Sequence, residues 1–241
     1  VPFASHPVCT FRWQEYFSEE FEHIGEYIRN HGFRISMHPD QFVLLNSPDE
    51  GVLRRSIAEL VYHVLVLDLM GLDDSAKVQI HVGGVYGNKP ASIERFVKRY
   101  ELLDTTILNR LVIENDERLY SISDCLTIYE QTGIPVIMDS FHHSLLNNGE
   151  EFAALLQPVA KTWKVADGIP MVDYSMQEPG KRAGAHATHI NADDFRHFLA
   201  TTMAADFDVM LEIKDKERSA VEALGIARED PRLVTGAPPQ E

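Results

Sequence analysis

Lys77-Val78-Gln79-Ile80-His81, Leu111-Val112-Ile113-Glu114 and Ile134-Pro135-Val136-Ile137-Met138-Asp139 are three short strand-like stretches, the first alternating and the other two apolar, each closed by an ionisable side chain. Between them the spacing predicts helices, over Ala91 to Leu103 and over Ser123 to Gln131. Strands alternating with helices of this length call for right-handed crossovers and a parallel sheet.

The same alternation extends outward in both directions. Upstream, Trp13, Phe17, Phe21, Ile24 and Ile28 recur at three- and four-residue intervals, predicting one helix from Trp13 to Ile28 with a glycine stop at Gly32. A strand from Phe33 to His38 ends at Pro39. Ser47-Pro48-Asp49-Glu50 then has the pattern of a capping box, opening a helix that runs to about Met70 and closes at Gly71. Downstream we expect a helix over Glu150 to Gln157, a strand over Pro170 to Asp173, a helix over Ala192 to Met203 capped by Asn191, and a strand over Asp208 to Glu212. No repeat, low-complexity tract or linker interrupts the pattern before a Pro-rich tail after Asp230, so residues 1–241 are expected to form one domain with 231–241 as a flexible tail.

A length of 241 residues suits a single α/β barrel, a fold that occupies about 250 residues. The 44% hydrophobic fraction can fill such a core, and no apolar run approaches the roughly 18 residues that span a bilayer. Cys9 and Cys125 are far apart and form no C-x-x-C pair, so neither a disulfide framework nor a thiolate metal site is expected. The expectation is a soluble, cytoplasmic protein. The formal net charge of -15 opposes attraction to a polyanion. Carboxylates that bind cations would offset this, because a bound divalent ion inverts the local field.

The chemistry lies at the carboxyl ends of the expected strands: His38, His81, Glu114, Asp139, Asp173 and Glu212, with His6 in the opening motif. In a parallel barrel these ends converge on one face, where active sites of this architecture are built. A single strand-end histidine is more often a loop residue with an ordinary hydrogen bond. Six ligand-type residues at successive strand ends are better explained by a polynuclear cation site, because clustered buried carboxylates without cations would cost many kcal/mol. His142 and His186, in loops just past two of the strands, could complete it. A mixed histidine and carboxylate set suits Mn²⁺, Zn²⁺ or Fe²⁺ better than Ca²⁺ or Mg²⁺. Lys181 and Arg182 could contact phosphate, although an exposed basic pair is usually only solvated. His23, His31, His63, His143, His189 and His197 are assigned to surface or packing.

Six motifs, read together, resemble the UV damage endonuclease family: Pro2-Phe3-Ala4-Ser5-His6-Pro7, Ser36-Met37-His38-Pro39-Asp40-Gln41, Ile80-His81-Val82-Gly83-Gly84-Val85-Tyr86-Gly87, Glu114-Asn115-Asp116-Glu117, Asp139-Ser140-Phe141-His142-His143 and Glu212-Ile213-Lys214-Asp215-Lys216-Glu217. The resemblance implies a TIM-type (β/α) barrel related to endonuclease IV, here without the family's usual first strand and helix. It implies hydrolysis of the phosphodiester 5′ to UV photoproducts or other lesions in double-stranded DNA, by a monomer using two or three divalent ions, Mn²⁺ first and Zn²⁺ or Mg²⁺ as alternatives. Glu114 would bridge two ions, with His38 and His81 completing one site and Asp139, Asp173 and Glu212 the other. His142 and His186 would bind a third. His6, Glu114 and His142 are the expected catalytic residues; Gln41, Phe42, Tyr86, Lys181 and Arg182 are expected on the DNA, Gln41 and Phe42 probing the gap left by flipped nucleotides. Met171-Val172-Asp173 departs from the family's more usual Lys-x-His. The competing reading is a divalent-metal sugar isomerase on the same barrel, which the acidic balance would suit; Gln41 and Phe42 have no evident task there.

Overall fold

The computed structural model describes Val1 and residues 3–234. The chain divides into two compact units, one built on Val1–Ile113 and the other on Glu114–Thr235. Six strands are found among the described residues.

The first unit opens with α1 (Trp13–Tyr16) and α2 (Ser18–Asn30) in place of one continuous helix. The break is at Phe17, whose φ of -104° and ψ of 16° leave the helical region. Aromatic packing holds the corner: buried Trp13 meets Phe21 and Tyr62 edge-on, at centroid distances of 6.2 Å and 5.3 Å. β1 (Ser36–Met37) is shorter than expected. It pairs parallel with β2 (Lys77–His81), Ser36 opposite Lys77 and Met37 opposite Val78, and Pro39, which lacks an N–H, stands two residues past its end.

Helix α3 (Glu50–Leu69) corrects the expected capping box. Asp49, not Ser47, is the cap and accepts the Val52 N–H at 2.9 Å, while Ser47 Oγ accepts the Asp49 N–H at 3.2 Å. The start therefore moves two residues along, leaving Pro48 outside the helix. α4 (Lys89–Tyr100) is capped by Asn88 and has proline in its first turn. α5 (Thr105–Arg110) was not expected; its residues are too few to show periodicity, and the Asp104 side chain starts it by accepting the Thr106 N–H. Arg110 at its end is buried, bonding Asp68 and the carbonyls of Leu72, Asp73 and Ala76. β3 (Leu111–Glu114) follows directly.

In the second unit α6 (Ile122–Thr132) has a reciprocal Ser121–Asp124 capping box and stops at Gly133, whose φ of 72° favours glycine. Then come β4 (Val136–Asp139), α7 (Ser140–Leu145), α8 (Phe152–Ala160), β5 (Met171–Tyr174), α9 (Ala192–Thr201), β6 (Asp208–Leu211) and α10 (Glu217–Ala227). β4, β5 and β6 are parallel, with Asp139 opposite Asp173 and Asp173 opposite Met210. Tyr174 turns toward α9, packing on Phe195 and Phe198 and donating to Asp194 at 2.5 Å. Alternation along the strand therefore aims Met171 and Asp173 away from that helix. The expected tail at 231–241 lies mostly outside the described residues. Arg232, within them, bonds the carbonyls of Thr202, Ala205 and Leu199.

Candidate metal centre

Asp139 ends β4 and also caps α7. Its Oδ1 accepts the His142 N–H at 2.7 Å, so the strand-to-helix turn brings His142 back over the strand end. Asn115 braces the same corner from the residue after β3: its Nδ2 donates to Asp139 O at 3.1 Å, and its Oδ1 accepts the Asp139 N–H at 2.8 Å. Glu114, Asp139 and His142 each present a ligand atom, all within 4.8 Å of one another, and all three residues are buried.

His142 Nδ1 lies 3.0 Å from Glu114 Oε1, 3.0 Å from Asn115 O and 3.5 Å from Asp139 Oδ2. Each of these neighbours is an acceptor, so Nδ1 carries a proton, and a cation binding the ring would do so at Nε2 by displacing the second proton. Burial pulls the His142 pKa down, but the Glu114 hydrogen bond and the charges of Asp139 and Glu114 outweigh it and raise the value to about 10. Asp139 is pushed up to about 8, first by burial and then by the charges of Glu114 and Glu212, against the opposing pull of His142. Asp139 Oδ2 is buried and accepts no hydrogen bond. A buried carboxylate oxygen without a donor, beside a second carboxylate and an imidazole, is a donor set that a divalent cation fits.

On the neighbouring wall Glu212 follows β6, and its Oε2 is 3.7 Å from His186 Nδ1. That nitrogen is also 3.0 Å from Ser175 Oγ and 3.1 Å from Glu212 O, while the His186 ring stands 5.8 Å from that of His142. Asp173 is buried and in register with Asp139, but does not belong to the compact group of Glu114, Asp139 and His142. In the first unit His38 and His81 converge at the same ends of paired β1 and β2, with ring centroids 5.2 Å apart and His38 Nδ1 bonded to Pro39 O at 2.9 Å. His6 is exposed and accepts the Val8 N–H on Nδ1. Gln41, Phe42 and Tyr86 are exposed on the loops after β1 and β2, and Lys181 and Arg182 are exposed between β5 and α9.

Sequence reasoning missed Asn115 and Ser175, which orient candidate ligands rather than supply them. Each stands next to a strand end, and nothing in its identity separates it from an ordinary loop residue. The surface assignment of His189 understates its contacts, since its two ring nitrogens meet Asp215 at 2.6 Å and Glu222 at 3.1 Å.

Among solved structures, the crystal structure titled SacUVDE superposes with a TM-score of 0.90 at 47% identity, covering 96% of this chain and 78% of that one. Endonuclease IV from Thermus thermophilus gives 0.58 at 19% identity over 95% of this chain and 85% of its own, a likeness of fold alone. The fold is thus of the TIM-barrel type and incomplete, with six strands among the described residues. A UV DNA damage endonuclease of Clostridium perfringens is 38% identical over 231 residues, 95% of this chain but 56% of that protein. One from Bacillus mycoides is 34% identical over 93% of this chain and 71% of its own length. This chain therefore spans little more than half of the first relative. The model of the family described as UV-endonuclease UvdE matches residues 1–230, and with this strand-end cluster of histidines and carboxylates the chain belongs to that family.

Proposed function

We propose that the protein is a divalent-metal-dependent DNA repair endonuclease that hydrolyses the phosphodiester on the 5′ side of a UV photoproduct or comparable lesion in duplex DNA. Family membership supports the reaction class. The observation that carries metal dependence is the Asp139 carboxylate, buried with one oxygen lacking a donor beside Glu114 and His142. Bound divalent ions would supply charge neutralisation and Lewis-acid activation for an in-line displacement at phosphorus.

Glu114 would be shared between ions, with His38 and His81 on one and Asp139, Asp173 and Glu212 on the other. His142 and His186 would hold a third, their Nδ1 protons fixed by Asn115 O and by Ser175 and Glu212, leaving Nε2 available. Mn²⁺ is the favoured ion, because oxygen ligands outnumber imidazoles around Asp139 and Asp173 replaces the family's more usual histidine. His6 would approach the scissile phosphate. Gln41 and Phe42 would enter the gap at the lesion, with Tyr86, Lys181 and Arg182 on the DNA backbone; Phe42 is 67% exposed, which leaves it available for stacking. The protein is proposed to act as a cytoplasmic monomer. No described helix is long and apolar enough to cross a membrane.

Incubation with Mn²⁺ and a duplex carrying one cyclobutane dimer, beside an undamaged duplex, tests this reading. A single nick 5′ to the dimer, abolished by chelation, is expected. Metal-loaded protein that binds the damaged duplex without cutting it would oppose the assignment.

A further inference from the structure

Arg95 and Arg99 lie four residues apart on α4 and so share one face of that helix. The face holds the β1–α3 loop by its backbone. Arg95 Nε donates to Asn46 O at 2.6 Å, Arg99 Nη1 donates to Leu45 O at 2.9 Å and also to Ser47 O, and Arg99 Nη2 meets Glu50 Oε1 at 2.6 Å. Three consecutive carbonyls, a few residues past Gln41 and Phe42, thus accept from two side chains.

The same arginine reaches the next loop. Arg95 Cζ lies 5.5 Å from the centroid of the Tyr86 ring, a cation–π distance. That ring lies on Gly84, where a Cβ would come within 2.8 Å of Tyr86 Cζ. Tyr86 itself holds a φ of 47°, a left-handed conformation that a tyrosine keeps only when its surroundings impose it. Asn46 Nδ2 closes the circuit by donating to Gly84 O at 2.8 Å. Because β1 and β2 run parallel, both loops leave from the same end of the strands, and both carry an exposed ring, Phe42 and Tyr86.

We propose that Arg95 is a positioning residue for damage recognition, locking the Gln41–Phe42 loop to the Tyr86 turn so that both rings meet a distorted duplex as one preformed surface. This rests on the reading of Gln41 and Phe42 as the lesion probe. An intact stack resists insertion and a lesion does not, so a probe discriminates when it cannot yield to the stack; a loose loop would move aside on any duplex. Arginine suits the task, since its planar group donates at its edge to a carbonyl while presenting its face to a ring.

The test compares wild type with Arg95→Met, which keeps an apolar stem, and with Lys98→Met, which removes a charge from the exposed side of the same helix. Metal content and melting temperature are matched first. Backbone amide exchange over residues 40–47 and Kd for dimer-containing and undamaged duplexes are then measured. We expect Arg95→Met to speed exchange in that loop by roughly tenfold and to lower the preference for damaged duplex by roughly tenfold, with Lys98→Met unchanged in both. Retention of the wild-type preference by Arg95→Met would overturn the proposal. If Arg95→Met does not fold, Arg95→Lys serves instead, because its one ammonium cannot hold carbonyl and ring together; it should lose part of the preference, and keeping all of it counts against the proposal. A wild type that binds both duplexes equally defeats the probe reading itself, an outcome visible without any Arg95 variant, and the proposal falls with it.

Discussion

Asp139 carries a local conflict between burial and charge. Its carboxylate is buried between Glu114 and His142, and its pKa of about 8 records how strongly the metal-free fold resists ionising it. A group whose folded pKa exceeds its unfolded value binds extra protons in the native state, so its stabilising contribution is lost as pH rises through the folded pKa. For Asp139 that window runs from the ordinary carboxylate range up to about 8, and for His142 from about 6.5 to about 10, both in the same direction. Metal-free protein should therefore lose thermal stability between about pH 6 and pH 9, and the gain in Tm on adding Mn²⁺ should grow over the same range as cations replace protons. Melting curves with and without Mn²⁺ check this; a Tm gain that shrinks with rising pH would contradict it. Asp139→Asn keeps an oxygen to cap α7 and removes the charge. It should stabilise the metal-free protein at about pH 9 by roughly 1–3 kcal/mol while weakening Mn²⁺ binding at least about a hundredfold.

At the scale of elements, what was legible followed from strong local signals. β2 and β3 match their expected bounds: β3 reads as a short apolar run, β2 alternates Val78 and Ile80 with polar residues, and each ends in an ionisable residue. α9 with its Asn191 cap was legible for the same local reason. α5 and α7 were not, since six residues cannot display a helical period, and α7 starts directly at the strand end where a loop was expected. α10 was missed although Ala220, Ala223, Leu224 and Ala227 recur at helical spacing, because that stripe is built mostly of alanine and is flanked by Gly225. The unexpected α7 matters most, since its first turn is what carries His142 to Asp139 and Glu114. Asn115, which bonds both backbone groups of Asp139, is the tie that sets this corner. Asn115→Ala leaves a buried N–H and C=O without partners and should cost about 1–3 kcal/mol in denaturant unfolding. Mn²⁺ affinity should fall with it, and unchanged affinity would show that the brace serves the fold alone.

At the scale of the whole molecule, a formal charge of -15 has to be reconciled with the proposed DNA substrate. Few cationic side chains are available to displace counterions, so the salt dependence of binding should be shallow and affinity should depend on divalent metal more than on Lys and Arg. Binding titrations over a salt series, with Mn²⁺ and with chelator, should show weak association without metal and a marked gain with it; equal affinity in both conditions would refute the electrostatic account. The barrel class was legible in the sequence, as was a histidine or carboxylate at or beside each of the six strand ends, because one chemical type recurs at one structural position. Which ligands cluster tightly was not, since Asp173 and Asp139 differ little as sequence and stand in register, yet the compact group contains only Asp139. The central claim, that the strand ends form a divalent-metal centre organised on Glu114, is tested most directly by anomalous diffraction from crystals equilibrated with Mn²⁺. The account predicts manganese peaks bounded by Glu114, Asp139 and His142, lost from that position in Glu114→Gln; a map with no peak in reach of Asp139 Oδ2 would contradict it.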